Sequence, residues 1–157
     1  MEAKGLPGLG LASYSRKDLA LLLSKLSTAF AVPRPALRFV STHKWSGLWT
    51  PGAISLSTDP RRTGCSPMTL VHEFAHHVMY EWEPRDLLEG HGPEFVGVYG
   101  DCLGMAGLIP WYGWQELCVQ YKVRCLNTAD VSTVTGLRKL VKKRAAEAAR
   151  KAHPTKI

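Results

Sequence analysis

Three histidines and one glutamate carry the chemistry of this chain. His72-Glu73-Phe74-Ala75-His76 forms an H-E-x-x-H pattern, and His91 follows fifteen residues after His76. Residues four apart on a helix differ by about 40° around its axis, so His72 and His76 share a face, one turn apart. Two imidazoles so placed can hold one Zn²⁺, and Glu73 then leans over the open side of the metal. A catalytic zinc takes three protein ligands and a water. His91 is the best-placed third ligand, with Glu94 and Asp101 as carboxylate alternatives. The set predicts zinc-dependent peptide hydrolysis with one Zn²⁺ per chain.

The helix that must present the pair is well signalled. Ser66 suits the N-cap and Pro67 the first helical position, where its missing N–H costs nothing. Val71, Phe74, Ala75, Val78 and Trp82 recur at helical spacing and predict a buried stripe. His72 and His76 flank that stripe, at the boundary between core and cleft. Glu83-Pro84 marks the end, because the residue before a proline avoids the helical region. His77 points away from the ligand pair; it is expected at the surface, paired with Glu81 four residues on, and is not read as a ligand. Glu83–Gly90 reads as a polar turn, and the glycines of Gly90-His91-Gly92-Pro93 let the backbone swing round before Pro93 starts a second helix. That helix is expected over Pro93–Met105, with Phe95, Val98, Tyr99 and Cys102 inward. Tyr99 is read first as a packing residue, although a phenol there could orient substrate.

The run HEFAHH…EGHGPEF resembles the SprT-like zinc metalloproteases, the group that includes the DNA-dependent protease Spartan. The resemblance covers about residues 52 to 104. It implies that His72, His76 and His91 are the zinc ligands and Glu73 the catalytic base. It also implies an α+β, minimal zincin-like domain. Its parts in order are an N-terminal helix, a short β-hairpin, the H-E-x-x-H helix, a second helix after the third His and a basic C-terminal helix. Ala53–Ser57 looks like the strand that this family places before its active-site helix, where an edge strand can pair with extended substrate. Many members carry a four-Cys zinc ribbon after the catalytic part, and this chain departs from them. Its cysteines, Cys65, Cys102, Cys118 and Cys125, form no C-x-x-C, and the last two stand seven positions apart. They read as small core residues of a protein in a reducing compartment.

The remaining elements follow from local signals. A chain of 157 residues with 45% hydrophobic and 21% charged residues has the composition of one globular domain with a real core. The expected division is a flexible leader over 1–14, the metallopeptidase domain over 15–127 and a basic helical tail over 128–157. Ser15 with Asp18 three residues on predicts a capping box. Leu19, Leu22, Leu23, Leu26 and Phe30 give that first helix its apolar face, and Pro33-Arg34-Pro35 should stop it. Leu37–Ser41 alternates and reads as a strand, with Ala53–Ser57 its expected partner and the stretch between them a turn. Trp45 and Trp49 in that turn are read as closing the core, with substrate or nucleobase contact as the lesser reading. Thr58–Gly64 is a loop, Gly107–Pro110 a break, Trp111–Gln120 a short helix and Lys122–Leu126 a short strand. No run approaches the length of a membrane span, and the N-terminus lacks the order of a signal peptide. A cytoplasmic protein is therefore expected.

All of the net charge sits at one end. Residues 137–157 hold eight Lys or Arg against one acid, Glu147, which equals the +7 of the whole chain. Leu137, Leu140, Val141, Ala145, Ala148 and Ala152 recur at helical spacing, so the stretch reads as a basic amphipathic helix. Arg138, Lys139, Lys142, Lys143, Arg144, Arg150 and Lys151 are its candidate nucleic-acid contacts, through phosphates and dependent on salt. An anionic membrane surface or a plain solvated helix are the other readings of the same charges. Two function classes follow: a DNA-associated zinc endopeptidase, or a zinc-stabilised binding protein without turnover. A peptidase unconnected to DNA stands between them.

Overall fold

The computed structural model describes residues 14–83, 88, 90–126 and 134–152. Among the described residues it is an α+β arrangement of five helices and one three-stranded sheet. The leader before Tyr14, most of the polar turn 84–89 and the start and end of the basic segment lie outside the described residues.

Helix α1 (Arg16–Phe30) opens on the expected capping box: the Ser15 amide donates to Asp18 Oδ2 at 2.9 Å and the Asp18 amide to Ser15 Oγ at 3.1 Å. It stops at Ala31, whose backbone turns left-handed (φ 50°) and donates back to Ser27 and Thr28, so the helix ends two residues before Pro33. Leu19, Leu23, Leu26 and Phe30 are fully or almost fully buried, each contributing about 1.5–3 kcal/mol of apolar burial. Phe30 meets Phe74 edge-on at 5.9 Å, which seats α1 on the helix that carries the histidines.

Two expectations about the sheet are corrected. The strands are β1 (Ala36–Val40), β2 (Gly47–Thr50) and β3 (Ala53–Ser57), in the order β1-β3-β2. Ala36–Val40 does pair with Ala53–Ser57, but in parallel, and the stretch expected to be a turn contains β2. The hairpin is β2-β3, closed over Pro51-Gly52, where Gly52 supplies the positive φ of 80° that the turn needs. Consequently Ala53–Ser57 is the central strand, and β2 is the edge on the helix side. Lys122–Leu126 forms no strand; Lys122 takes a left-handed φ of 54°, which breaks extended pairing.

Helix α2 (Pro67–Trp82) begins at Ser66, whose hydroxyl accepts from the Thr69 amide at 3.1 Å. Its five-residue stripe is buried as expected. Helices α3 (Pro93–Met105) and α4 (Trp111–Gln120) have the expected limits. Helix α5 (Val134–Ala152) lays Leu137, Val141 and Ala145 inward, and the first two join the same core as Leu70 and Phe74. Leu140 and Ala148 are half-buried, and Ala152 is exposed. Among the described residues no helix is long and apolar enough to cross a membrane.

Candidate metal centre

α2 supplies His72 and His76 on adjacent turns, and the turn before α3 brings His91 against them. The ligand nitrogens of the three all lie within 4.8 Å of one another. His76 Nε2 is 3.0 Å from His91 Nε2, which is 3.3 Å from His72 Nε2. A tetrahedral ion with bonds of about 2.0–2.1 Å separates its ligand nitrogens by roughly 3.3 Å. The donor set thus has the chemistry and spacing for a metal ion. Glu94 and Asp101, the carboxylate alternatives, are not in this cluster.

The electrostatics favour the form that ligates. Burial, and then the neighbouring His72 and His91, push the His76 imidazole down to about 4. Burial followed by His91 lowers His72. Both rings are therefore neutral at physiological pH, as metal binding requires. Beneath them lies Phe95, with its ring centroid 5.2, 4.4 and 4.8 Å from those of His72, His76 and His91. Only 3% exposed, Phe95 closes one side of the cluster to water. In the sequence it is legible only as an inward residue of α3; nothing in spacing alone puts it under all three ligands.

Glu73 occupies the other side. It shares an open, mostly polar cleft of about 360 Å³ with His72, Thr69, Ser46 and Tyr99. Burial raises the Glu73 carboxyl, and the Trp49 backbone amide hydrogen-bonded to it pulls the other way. β2 therefore fixes the carboxylate from above, and it does so at close quarters. A Cβ on Gly47 would stand 2.7 Å from Glu73 Cγ, Glu73 Oε1 and Thr69 Cγ2. Tyr99 both packs and lines the cleft: it meets the His72 ring edge-on at 5.3 Å and stacks on Phe95 at 5.9 Å. Its phenol is pushed up to about 12 by burial, so it keeps its proton and can donate a hydrogen bond.

Other residues singled out by the sequence fall differently. His77, expected at the surface, is buried at 1% exposure, with Nε2 2.7 Å from the Pro33 carbonyl. The segment after α1 crosses that face of α2, which helical periodicity cannot show. His77 is not part of the ligand cluster, as expected. Trp49 stacks on His76 at 6.3 Å and tilts against Tyr80 at 5.3 Å, so it borders the centre as well as the core. His43 is exposed, and its carbonyl accepts from Arg62. Cys102 and Cys118 are buried as expected and Cys125 partly so, whereas Cys65 is exposed. The Cys118 and Cys125 thiols are hydrogen-bonded neighbours despite their spacing.

On α5, Lys139, Lys142, Lys143 and Arg150 form an exposed ridge opposite Leu137 and Val141. Arg138 and Lys151 are exposed beside it. Arg144 is engaged elsewhere, 3.8 Å from both the nine-tenths-buried Glu94 and Glu147. In comparisons with known proteins, no family model, curated protein or solved structure matches this chain.

Proposed function

We propose that this chain is a zinc-dependent endopeptidase of the SprT-like kind, with a zincin-like catalytic domain, acting on proteins associated with or crosslinked to DNA. The observation that carries the reading is the convergence of His72, His76 and His91, with Glu73 sharing an open cleft with His72. A purely structural zinc closes its fourth position with protein, and no fourth His, Cys, Asp or Glu joins this cluster among the described residues.

His72, His76 and His91 would hold the zinc, which when bound supplies a Lewis acid and lowers the pKa of water. Glu73, steadied by the Trp49 amide, takes the proton of the attacking water and passes it to the leaving amine. β2 is the strand suited to receive substrate. The Ser57 amide donates to the Ser46 carbonyl at 2.9 Å, which makes 46/57 a hydrogen-bonded pair. By the alternation of an antiparallel ladder, the backbone groups of Gly47 and Trp49 then turn outward from β3; the Trp49 amide is taken by Glu73, which leaves the Gly47 groups and the Trp49 carbonyl to pair with substrate. The α5 ridge supports the nucleic-acid part of the reading.

The test is cleavage of a DNA-binding protein by wild type and Glu73→Gln, each with and without single-stranded DNA. Wild type should cut, faster with DNA, while Glu73→Gln keeps its zinc and loses about 10²–10⁴-fold in rate. Equal rates for the two would end the peptidase assignment and favour a zinc-stabilised binding protein. Cutting that is indifferent to DNA would leave a peptidase without the nucleic-acid link.

A further inference from the structure

The sheet has a second edge. β2 borders the cleft, and β1 lies on the far side of β3. The Ala36 amide donates to the Gly52 carbonyl and the Thr58 amide to the Val40 carbonyl, both at 2.9 Å. In a parallel ladder this turns the backbone groups of Ala36, Arg38 and Val40 toward β3 and those of Leu37 and Phe39 outward. Among the described residues nothing bonds to these outward groups. The Leu37 and Phe39 side chains are half-buried and line an open groove of about 480 Å³ between β1 and α1, with Ala20, Arg34 and Pro35. Arg16 lies over the Phe39 ring at 4.8 Å, so the groove has an arginine near each end. Arg38 stands exposed on the opposite face of the strand. None of the three arginines has a carboxylate partner among the described residues. The acids of the adjoining segments, Asp18 and Asp59, are taken by Ser15 and Arg61.

We propose that β1 is a docking edge for an extended acidic segment of a partner protein, which adds to the sheet as an antiparallel strand with acidic and aliphatic residues in alternation. Aliphatic residues opposite Leu37 and Phe39 enter the groove, and the acid between them faces Arg38. The antiparallel sense is the more stable pairing. Charge also selects against a second copy of this chain. Two β1 edges paired about their centres would set Arg38 against Arg38, and like charges directly opposite destabilise a sheet. Because this edge does not border the cleft, the docking is independent of the peptidase reading.

The experiment uses the full chain and a fluorescein-labelled peptide, Gly-Glu-Val-Glu-Val-Glu-Gly, with binding read by fluorescence anisotropy at low salt. Two analogues are N-methylated, one at both valines and one at the central glutamate. An antiparallel strand donates to β1 from its valine amides, whereas the amide of the central glutamate points away. Methylation of the valines alone should therefore abolish binding. Arg38→Glu replaces an attractive cross-strand pair by a repulsive one and should weaken binding about tenfold. A peptide with lysine at its centre should restore that loss, with zinc content unchanged throughout. No binding, or any other pattern across the two methylated analogues, overturns the docking. So does self-association of the chain that the peptide reverses, which would assign the edge to a second copy.

Discussion

Gly47→Ala is the sharpest probe of how β2 positions Glu73. Nothing in the backbone forbids alanine there, since Gly47 has no positive φ and sits in a regular strand. The obstacle is space: the new methyl would lie 2.7 Å from Glu73 Cγ and Oε1 and from Thr69 Cγ2. That is roughly 1 Å short of the optimum carbon–carbon separation of about 3.5–4.0 Å. The Glu73 side chain is the freest of the three groups to yield, so it should carry most of the displacement. A catalytic group misplaced by about 1 Å costs on the order of 10²-fold in rate. We therefore expect kcat/KM for a peptide substrate to fall roughly 100-fold, with one zinc still bound, because the three nearest contacts belong to Glu73 and Thr69 and not to an imidazole. Overpacking should lower stability by about 1–3 kcal/mol, seen as a drop in Tm of about 2–4 °C per kcal/mol for a chain of this size. Adding Thr69→Ser removes Cγ2 but keeps the hydroxyl that donates to the Thr63 carbonyl at 2.8 Å. The double variant should regain part of the lost rate. Wild-type activity in Gly47→Ala, or loss of its zinc, would refute the idea that β2 aims the base without touching the ligands.

Adjacent histidines give opposite outcomes: His76→Leu should weaken zinc binding in equilibrium dialysis, whereas His77→Leu should keep zinc. The latter should lose about 0.5–1.5 kcal/mol in denaturant unfolding with its bond to the Pro33 carbonyl. Burial holds the Asp101 carboxyl up at about 6, above its ordinary 3.8. The folded state thus binds the proton more tightly, and this group's contribution to stability falls as pH rises from about 4 through 6. Asp101→Asn should therefore raise Tm at pH 8, with the gap closing toward pH 4; a constant gap would contradict the assignment. Replacing Lys139, Lys142, Lys143 and Arg150 by alanine should flatten the salt dependence of single-stranded DNA binding. About four phosphate contacts give a slope near −3 in log K against log salt. The buried face of α5 is untouched by these changes, so zinc content and Tm should hold.

What is legible in the sequence is what local chemistry decides. Ser66-Pro67 and a 3.6-residue stripe place α2, and Gly92-Pro93 places α3, because caps and periodicity act within one turn. The sheet escapes such reading because strand order is not local: β1 reaches β3 in parallel only after the chain has gone out along β2 and returned. A usable signal is present in Thr50-Pro51-Gly52-Ala53, where proline presets one turn dihedral and glycine the positive one. It moves the hairpin to β2-β3 and puts Trp49, not Ala53–Ser57, beside the histidine cluster. His77 shows the same boundary from the other side. Its angle on α2, away from the ligand pair, follows from the helix alone, but the segment at Pro33 that covers it comes from 44 residues away.

The third ligand joins these two kinds of information. His72 and His76 are set by one helix, but His91 reaches them only when α3 docks on α2. Phe95, on α3, packs under all three rings while it is buried among the core residues of α2. Packing between the helices and closure of the ligand set are therefore one event. By linkage, an ion that binds only the closed set must stabilise the α2–α3 contact by its own binding free energy. A core substitution at Phe95 should thus weaken metal binding, measured by equilibrium dialysis, without removing a ligand.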